Sequence, residues 1–184
     1  MIINTVKKFV EDECKKPTSK YGYEPFVYHF VPMVRYATKL ADELNADKEI
    51  VIIAAWLHDI GSIIYGRSDH HITSTKVAEK LLKKLKYPPE RIERVKKCIL
   101  NHRGSVKNEC VSLEEKIISD ADAMSNFDNL SGIFKAAFIY ENLDQGEAKT
   151  SVLNKLQNKW GQLYFDKSKE LIRPRYEAAI MLLK

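Results

Sequence analysis

Glycine and proline are scarce, at 7 and 6 in 184 residues, and spacing of three to four dominates over strict alternation. A sheet-rich chain would show more alternation and more turn punctuation. Cysteine is nearly absent: Cys14, Cys98 and Cys110 are odd in number and far apart, with no CxxC pair. That excludes a disulfide framework and fits reduced thiols in a cytoplasmic protein. The longest apolar run is Ile50 to Leu57, far below the roughly 20 residues of a membrane helix, and the opening MIINTVKKFVEDEC is too charged for a secretory signal core. No dense Lys/Arg block interleaves with aromatics, so neither a membrane nor a nucleic acid is an expected partner. Internal repeats and low-complexity stretches are missing as well.

What remains is the composition of a soluble globular chain, 45% apolar and 10% aromatic, with a mean hydropathy of −0.35. The length suggests one domain over residues 1–184, able to bury about 70% of its unfolded surface. Thirty basic against 25 acidic residues give a net charge of +5. Either a solvated Lys-rich surface or an attraction for anionic small molecules accounts for that balance.

The spacing predicts an all-α fold. Ile3, Val6 and Val10 mark a helix over residues 2–14, and a loop follows to Phe26. A second helix runs from about His29 to Leu44 along the stripe Met33, Ala37, Leu40 and Leu44. His29 sits at its entrance, because Pro32 is tolerated only in a first turn. Asp47 is a good N-cap for the next helix, whose IVIIAAWL is apolar on every face and therefore central. It closes in His58-Asp59-Ile60-Gly61, with Gly61 the expected stop. Ser62 to Thr73 reads as a polar loop and Ser74 to Lys86 as a helix. Pro88-Pro89 opens another, whose apolar face Ile92, Val95, Ile99 continues to His102. Ser112 caps the helix bearing Asp120-Ala-Asp122, and residues 128–184 form two or three further amphipathic helices.

All five histidines fall between positions 29 and 102, at or near predicted helix ends. His29 and His102 extend apolar stripes and point inward, where an imidazole needs either a backbone partner or a metal ion. The His58-Asp59 dipeptide is weak evidence by itself, but at the end of the most buried helix its carboxylate calls for a nearby cation. Asp120 and Asp122 project about 200° apart, and local burial leaves open which of them faces such a site.

This order of residues resembles the HD-domain metal-dependent phosphohydrolase superfamily. HFVPMVRYATKLA is similar to its first-histidine helix, AAWLHDIG to its His-Asp helix and ISDADAMSNF to its closing Asp helix, a motif core over residues 29–122. The Ser112 to Phe127 segment and the final helix with its Arg175-Tyr176 pair look most like those of small bacterial and archaeal HD hydrolases. The resemblance implies a helical bundle flanked by helices at residues 2–14 and 128–184. It implies His29, His58, Asp59 and Asp122 as metal ligands, with Asp120 as the alternative to Asp122. His71 and His102 would complete a second metal site or contact phosphate, with His70 a solvent-facing neighbour. Where the family's first helix often carries Arg, three residues after its His, this chain has Pro32, and Arg35 is the nearest arginine.

Two His and two carboxylates suit Mn²⁺, Fe²⁺, Co²⁺, Ni²⁺ or Mg²⁺, one or two ions per chain. The expected activity is metal-dependent hydrolysis of a nucleotide or other small phosphate ester, with Asp59 and His58 at the reacting centre and Asp59 orienting or deprotonating a water. Arg67, Arg103 and Lys76 are candidate phosphate contacts, each equally readable as surface charge. Two other readings stand beside it, a di-iron oxygenase on the same fold and a ligand-sensing module without catalysis. The apolar tail helices leave a homodimer open.

Overall fold

The computed structural model describes residues 2–102 and 110–184. They fold into helices joined by short turns, with no strand among the described residues. No single described helix is long and apolar enough to cross a membrane.

Helix α1 (Ile2–Lys15) buries Val6, Val10 and Cys14 on one stripe. After a loop, a π-helical turn over Phe26–Phe30 runs straight into α2 (Val31–Glu43), so His29 lies inside a wide turn rather than at a simple helix start. Pro32 supplies the reason: it has no N–H to return to the carbonyl four residues back. The Val31 N–H meanwhile reaches Phe26 O, five back. Helix α3 (Lys48–Leu57) begins where the Asp47 side chain accepts the Ile50 N–H at 3.3 Å. Its residues from Ile50 to Leu57 are all buried except the half-buried Ile52. It packs against α1, α2 and the later α6 and α7, which is what an all-round apolar helix requires.

Gly61 does not stop this helix. The break comes earlier, at Asp59 (φ −114°, ψ 14°), and the chain turns at once into α4 (Ile60–Tyr65), with Gly61 inside it. The role of Gly61 is close approach. A Cβ there would lie 2.6 Å from Ser74 N and 2.8 Å from His70 O, and its own N–H donates to Ser74 Oγ at 2.8 Å. Helix α5 (His70–Lys84) therefore starts earlier than the sequence suggested, from Asp69 in the left-handed region.

Helices α6 (Pro89–Asn101) and α7 (Leu113–Asp128) follow, the second capped by Ser112 Oγ accepting Glu115 N–H at 3.2 Å. Three more complete the chain: α8 (Leu130–Ile139), α9 (Gln145–Gly161) and α10 (Asp166–Leu183). Asp120 on α7 is fully buried and accepts the backbone N–H groups of Tyr164 at 2.8 Å and Phe165 at 3.1 Å. It fastens the α9–α10 connection and caps the start of α10.

Gly61→Ala should lower stability by about 1–3 kcal/mol, because the obstructing atoms are backbone and α4 or α5 must shift. Urea unfolding measures this, and an unchanged midpoint would mean that the two helices do not depend on the contact.

Candidate metal centre

Six side chains converge from five places in the fold. The π turn supplies His29, the α3 break His58 and Asp59, the first residue of α5 His70, the end of α6 His102, and the middle of α7 Asp122. His29 Nε2 lies 3.0 Å from His58 Nε2. The same two nitrogens lie 3.7 and 3.6 Å from Asp59 Oδ2, and 3.6 and 3.9 Å from Asp122 Oδ1. The other oxygen of Asp59 faces a second group: Oδ1 is 3.2 Å from His70 Nε2 and 3.6 Å from His102 Nε2. Asp59 thus stands between two sets of donors.

The outer nitrogens explain why the inner ones point inward. His58 Nδ1 meets Ala55 O at 2.9 Å, His102 Nδ1 meets Ile99 O at 2.5 Å, and His70 Nδ1 meets Arg67 O at 3.0 Å. A carbonyl only accepts, so each of these nitrogens carries the proton. His29 Nδ1 meets Ser125 Oγ at 3.0 Å, and that hydroxyl donates to Asp122 O at 2.8 Å, which makes this nitrogen a donor too. Protonation of Nδ1 leaves the Nε2 lone pair bare, and here those lone pairs face one another and two carboxylates.

This donor set fits a divalent cation. Ligands about 2.1 Å from an ion lie about 3.0 Å apart at right angles and about 4.2 Å apart when opposite. The two Nε2 atoms of His29 and His58 lie 3.0 Å from each other and 3.6 to 3.9 Å from Asp59 Oδ2 and Asp122 Oδ1, inside that range. Asp59 Oδ1 is buried without a hydrogen bond, an orphan that a cation beside His70 and His102 would satisfy. The partners of the Nδ1 atoms supply the outer support expected of metal-binding imidazoles.

Burial pushes the His58 imidazole down to about 3, so it is neutral and able to donate its lone pair. Burial alone would raise Asp59, yet His58, His102 and His29 together hold its carboxyl well below the usual range. Asp122 is likewise held low against burial, by Lys159 and the histidines. His102 is pushed down by burial and raised further by Asp59, with a net upward shift.

Several expectations need correction. His70, not His71, stands with Asp59 and His102; it is buried, not solvent-facing. On α5 the face turned toward α4 carries Ser74 and therefore the residue four before it. His71, one position round, packs edge-on against His70 with ring centroids 5.8 Å apart. Asp122 reaches the cluster while Asp120 serves the α10 start. Arg35 is engaged by Asp128. Arg67 lines the adjoining cleft, 3.8 Å from Glu141. Lys76 is exposed and does not line it, and Arg103 lies outside the described residues. The sequence reading missed Ser125 and Lys159, whose Nζ donates to Asp122 Oδ2 at 2.8 Å. A signal for Lys159 existed: Lys155 and Lys159 are one turn apart on α9 and border its buried stripe of Val152 and Leu156, Lys159 lying two turns after Val152.

The cluster opens into a cleft of about 1540 Å³ that runs along α9 and is walled opposite by Tyr21, Tyr28 and Tyr140. The HD domain family matches residues 26–126, which covers every residue of the cluster and more than half of the chain. The chain belongs to the HD domain family. An uncharacterized protein of Clostridium beijerinckii is 38% identical over 79 residues, 41% of this chain and 50% of that protein, so the match spans about half of the relative's length. Among solved structures, Bacillus subtilis YpgQ in complex with ADP has a TM-score of 0.72 at 21% identity, over 98% of this chain and 92% of that one. A Lactobacillus plantarum protein reaches a TM-score of 0.78 at 16% identity over 98% and 92%. An HD-superfamily hydrolase of Bacillus thuringiensis gives 0.74 at 17% over 99% and 93%. At such identities the likeness shows the fold.

Two measurements follow from the geometry. Asp122→Ala should lose bound Mn²⁺ in equilibrium dialysis, whereas Asp120→Ala should keep it and lose about 1–3 kcal/mol of stability; equal metal loss in both would contradict the division of roles. In metal-free protein, His58 binds a proton far more readily unfolded than folded. Its contribution is therefore complete above pH ~6.5 and is lost on acidification toward 3, at about 1.4 kcal/mol per pH unit. Urea melts of wild type and His58→Gln between pH 7 and 4 should show a shallower slope in the variant; parallel slopes would refute the buried neutral imidazole.

Proposed function

We propose, from this family membership and the donor geometry, that the protein is a metal-dependent phosphohydrolase acting on a nucleotide or other small phosphate ester. The observation that carries the proposal is Asp59, a half-buried carboxylate whose Oδ1 is buried without a hydrogen bond, with imidazole nitrogens facing each oxygen. His29, His58, Asp59 and Asp122 would hold one ion, and Asp59, His70 and His102 a second, with Asp59 shared. Mn²⁺, Fe²⁺, Co²⁺, Ni²⁺ and Mg²⁺ suit this mixture of nitrogen and oxygen donors. When bound, such an ion lowers the pKa of a coordinated water and draws charge from phosphoryl oxygens.

The chain's own residues do the positioning. Asp59, held well below the usual carboxylate range, is a weak proton acceptor, so its role at a water is to orient it. His58 stays neutral and fixed by Ala55 O. Lys159 occupies Asp122 Oδ2 and leaves Oδ1 toward the histidines. Arg67 on the cleft wall offers a guanidinium to phosphate oxygens. The cleft of about 1540 Å³ exceeds the volume a small ester needs and admits a nucleotide; the ADP complex of YpgQ supports that class of ligand.

The second donor group, Asp59 with His70 and His102, also favours a pair of irons, and so a di-iron oxygenase is the second reading. One experiment separates them. Metal-free protein should be inert, and Mn²⁺ or Co²⁺ should restore phosphate release from a panel of nucleotides and phosphate esters. Asp59→Ala should lower that rate more than about 100-fold. No release with any divalent ion, together with oxygen uptake by anaerobically iron-loaded protein, would replace the hydrolase with the oxygenase.

A further inference from the structure

Lys155 lines the cleft one turn of α9, about 6 Å, before Lys159. Lys159 is engaged by Asp122 at 2.8 Å. Lys155 has no hydrogen-bond or ion-pair partner among the described residues, and the charges acting on it are led by two of its own sign, Arg67 and Lys159, ahead of Asp122 and Glu141. Like charges one turn apart weaken a helix, and a half-buried, unpaired ammonium is costly. The nearest cleft positions on α9, Ser151, Asn154 and Asn158, are uncharged. Burial, Arg67 and Lys159 together lower the lysine's pKa, the signature of a cation held against its environment. An anion would relieve that strain.

The order along the cleft says which anion. Lys159 marks the end at the cluster through Asp122; Lys155 stands one turn away along the same cleft, which Arg67 also lines and where the Arg67 charge acts on it. A phosphoryl group at the donor cluster leaves the next linked phosphoryl within reach of Lys155. We propose that Lys155, with Arg67, forms a subsite for a second phosphoryl group, which selects substrates with two or more linked phosphates over monoesters. This rests on the hydrolase reading only for placing the first phosphoryl at the cluster.

Two non-hydrolysable probes test it by calorimetry on Mn²⁺-loaded protein: methylphosphonate, with one phosphoryl group, and methylenediphosphonate, with two. Wild type should bind the second at least about tenfold more tightly. Lys155→Met should remove most of that preference, leave methylphosphonate binding unchanged and raise rather than lower the melting temperature. Lys155→Arg should retain it. A preference that survives in Lys155→Met, or wild type that binds both probes equally or neither, would overturn the subsite. Failure of the hydrolase reading looks different: no ester is turned over while the Lys155-dependent preference persists.

Discussion

Four hydrogen bonds on the outer nitrogens of His29, His58, His70 and His102 set the character of this molecule. Each fixes a proton on Nδ1 and so fixes a bare lone pair on Nε2. The lone pairs meet around Asp59, in a place where burial keeps His58 neutral. Without cations this is an assembly of acceptors facing acceptors, and no rearrangement of protons on the outer nitrogens is open to the carbonyl partners. Cations resolve it.

The helices place those bonds with local devices. The proline-enforced π turn carries His29, the kink at Asp59 turns two consecutive side chains toward one point, and Gly61 lets α5 approach α4 until His70 reaches the carboxylate. Asp120 anchors the start of α10, and α9 brings two lysines to the open side of the cluster. The cleft, with Arg67, Lys155 and Lys159 in its lining, would give the proposed phosphate ester a place to lie beside the donors.

Much of this was legible in the residues. The all-round apolar IVIIAAWL marked the central helix, Asp47 and Ser112 marked two helix starts, and stripes that continued into His29 and His102 marked inward imidazoles. Other features were hidden for physical reasons. Gly61 looks like a helix stop, because the need for close approach depends on a partner helix that the local pattern does not name. His70 and His71 are adjacent, and only the start of α5 decides which faces α4. Asp120 and Asp122 border the same apolar surface, and their division depends on Tyr164 and Phe165, far along the chain. Lys159 borders the buried stripe of α9, but nothing local shows that its partner is Asp122 until α7 is placed against it.

The most direct test is ¹⁵N NMR of histidine-labelled protein above pH 8, before and after addition of Zn²⁺ as a diamagnetic probe. His29, His58, His70 and His102 should appear as Nδ1–H tautomers in the metal-free protein, and Zn²⁺ should shift their Nε2 resonances while leaving Nδ1 protonated. Nε2–H tautomers at these residues, or Nε2 resonances indifferent to the ion, would contradict the account.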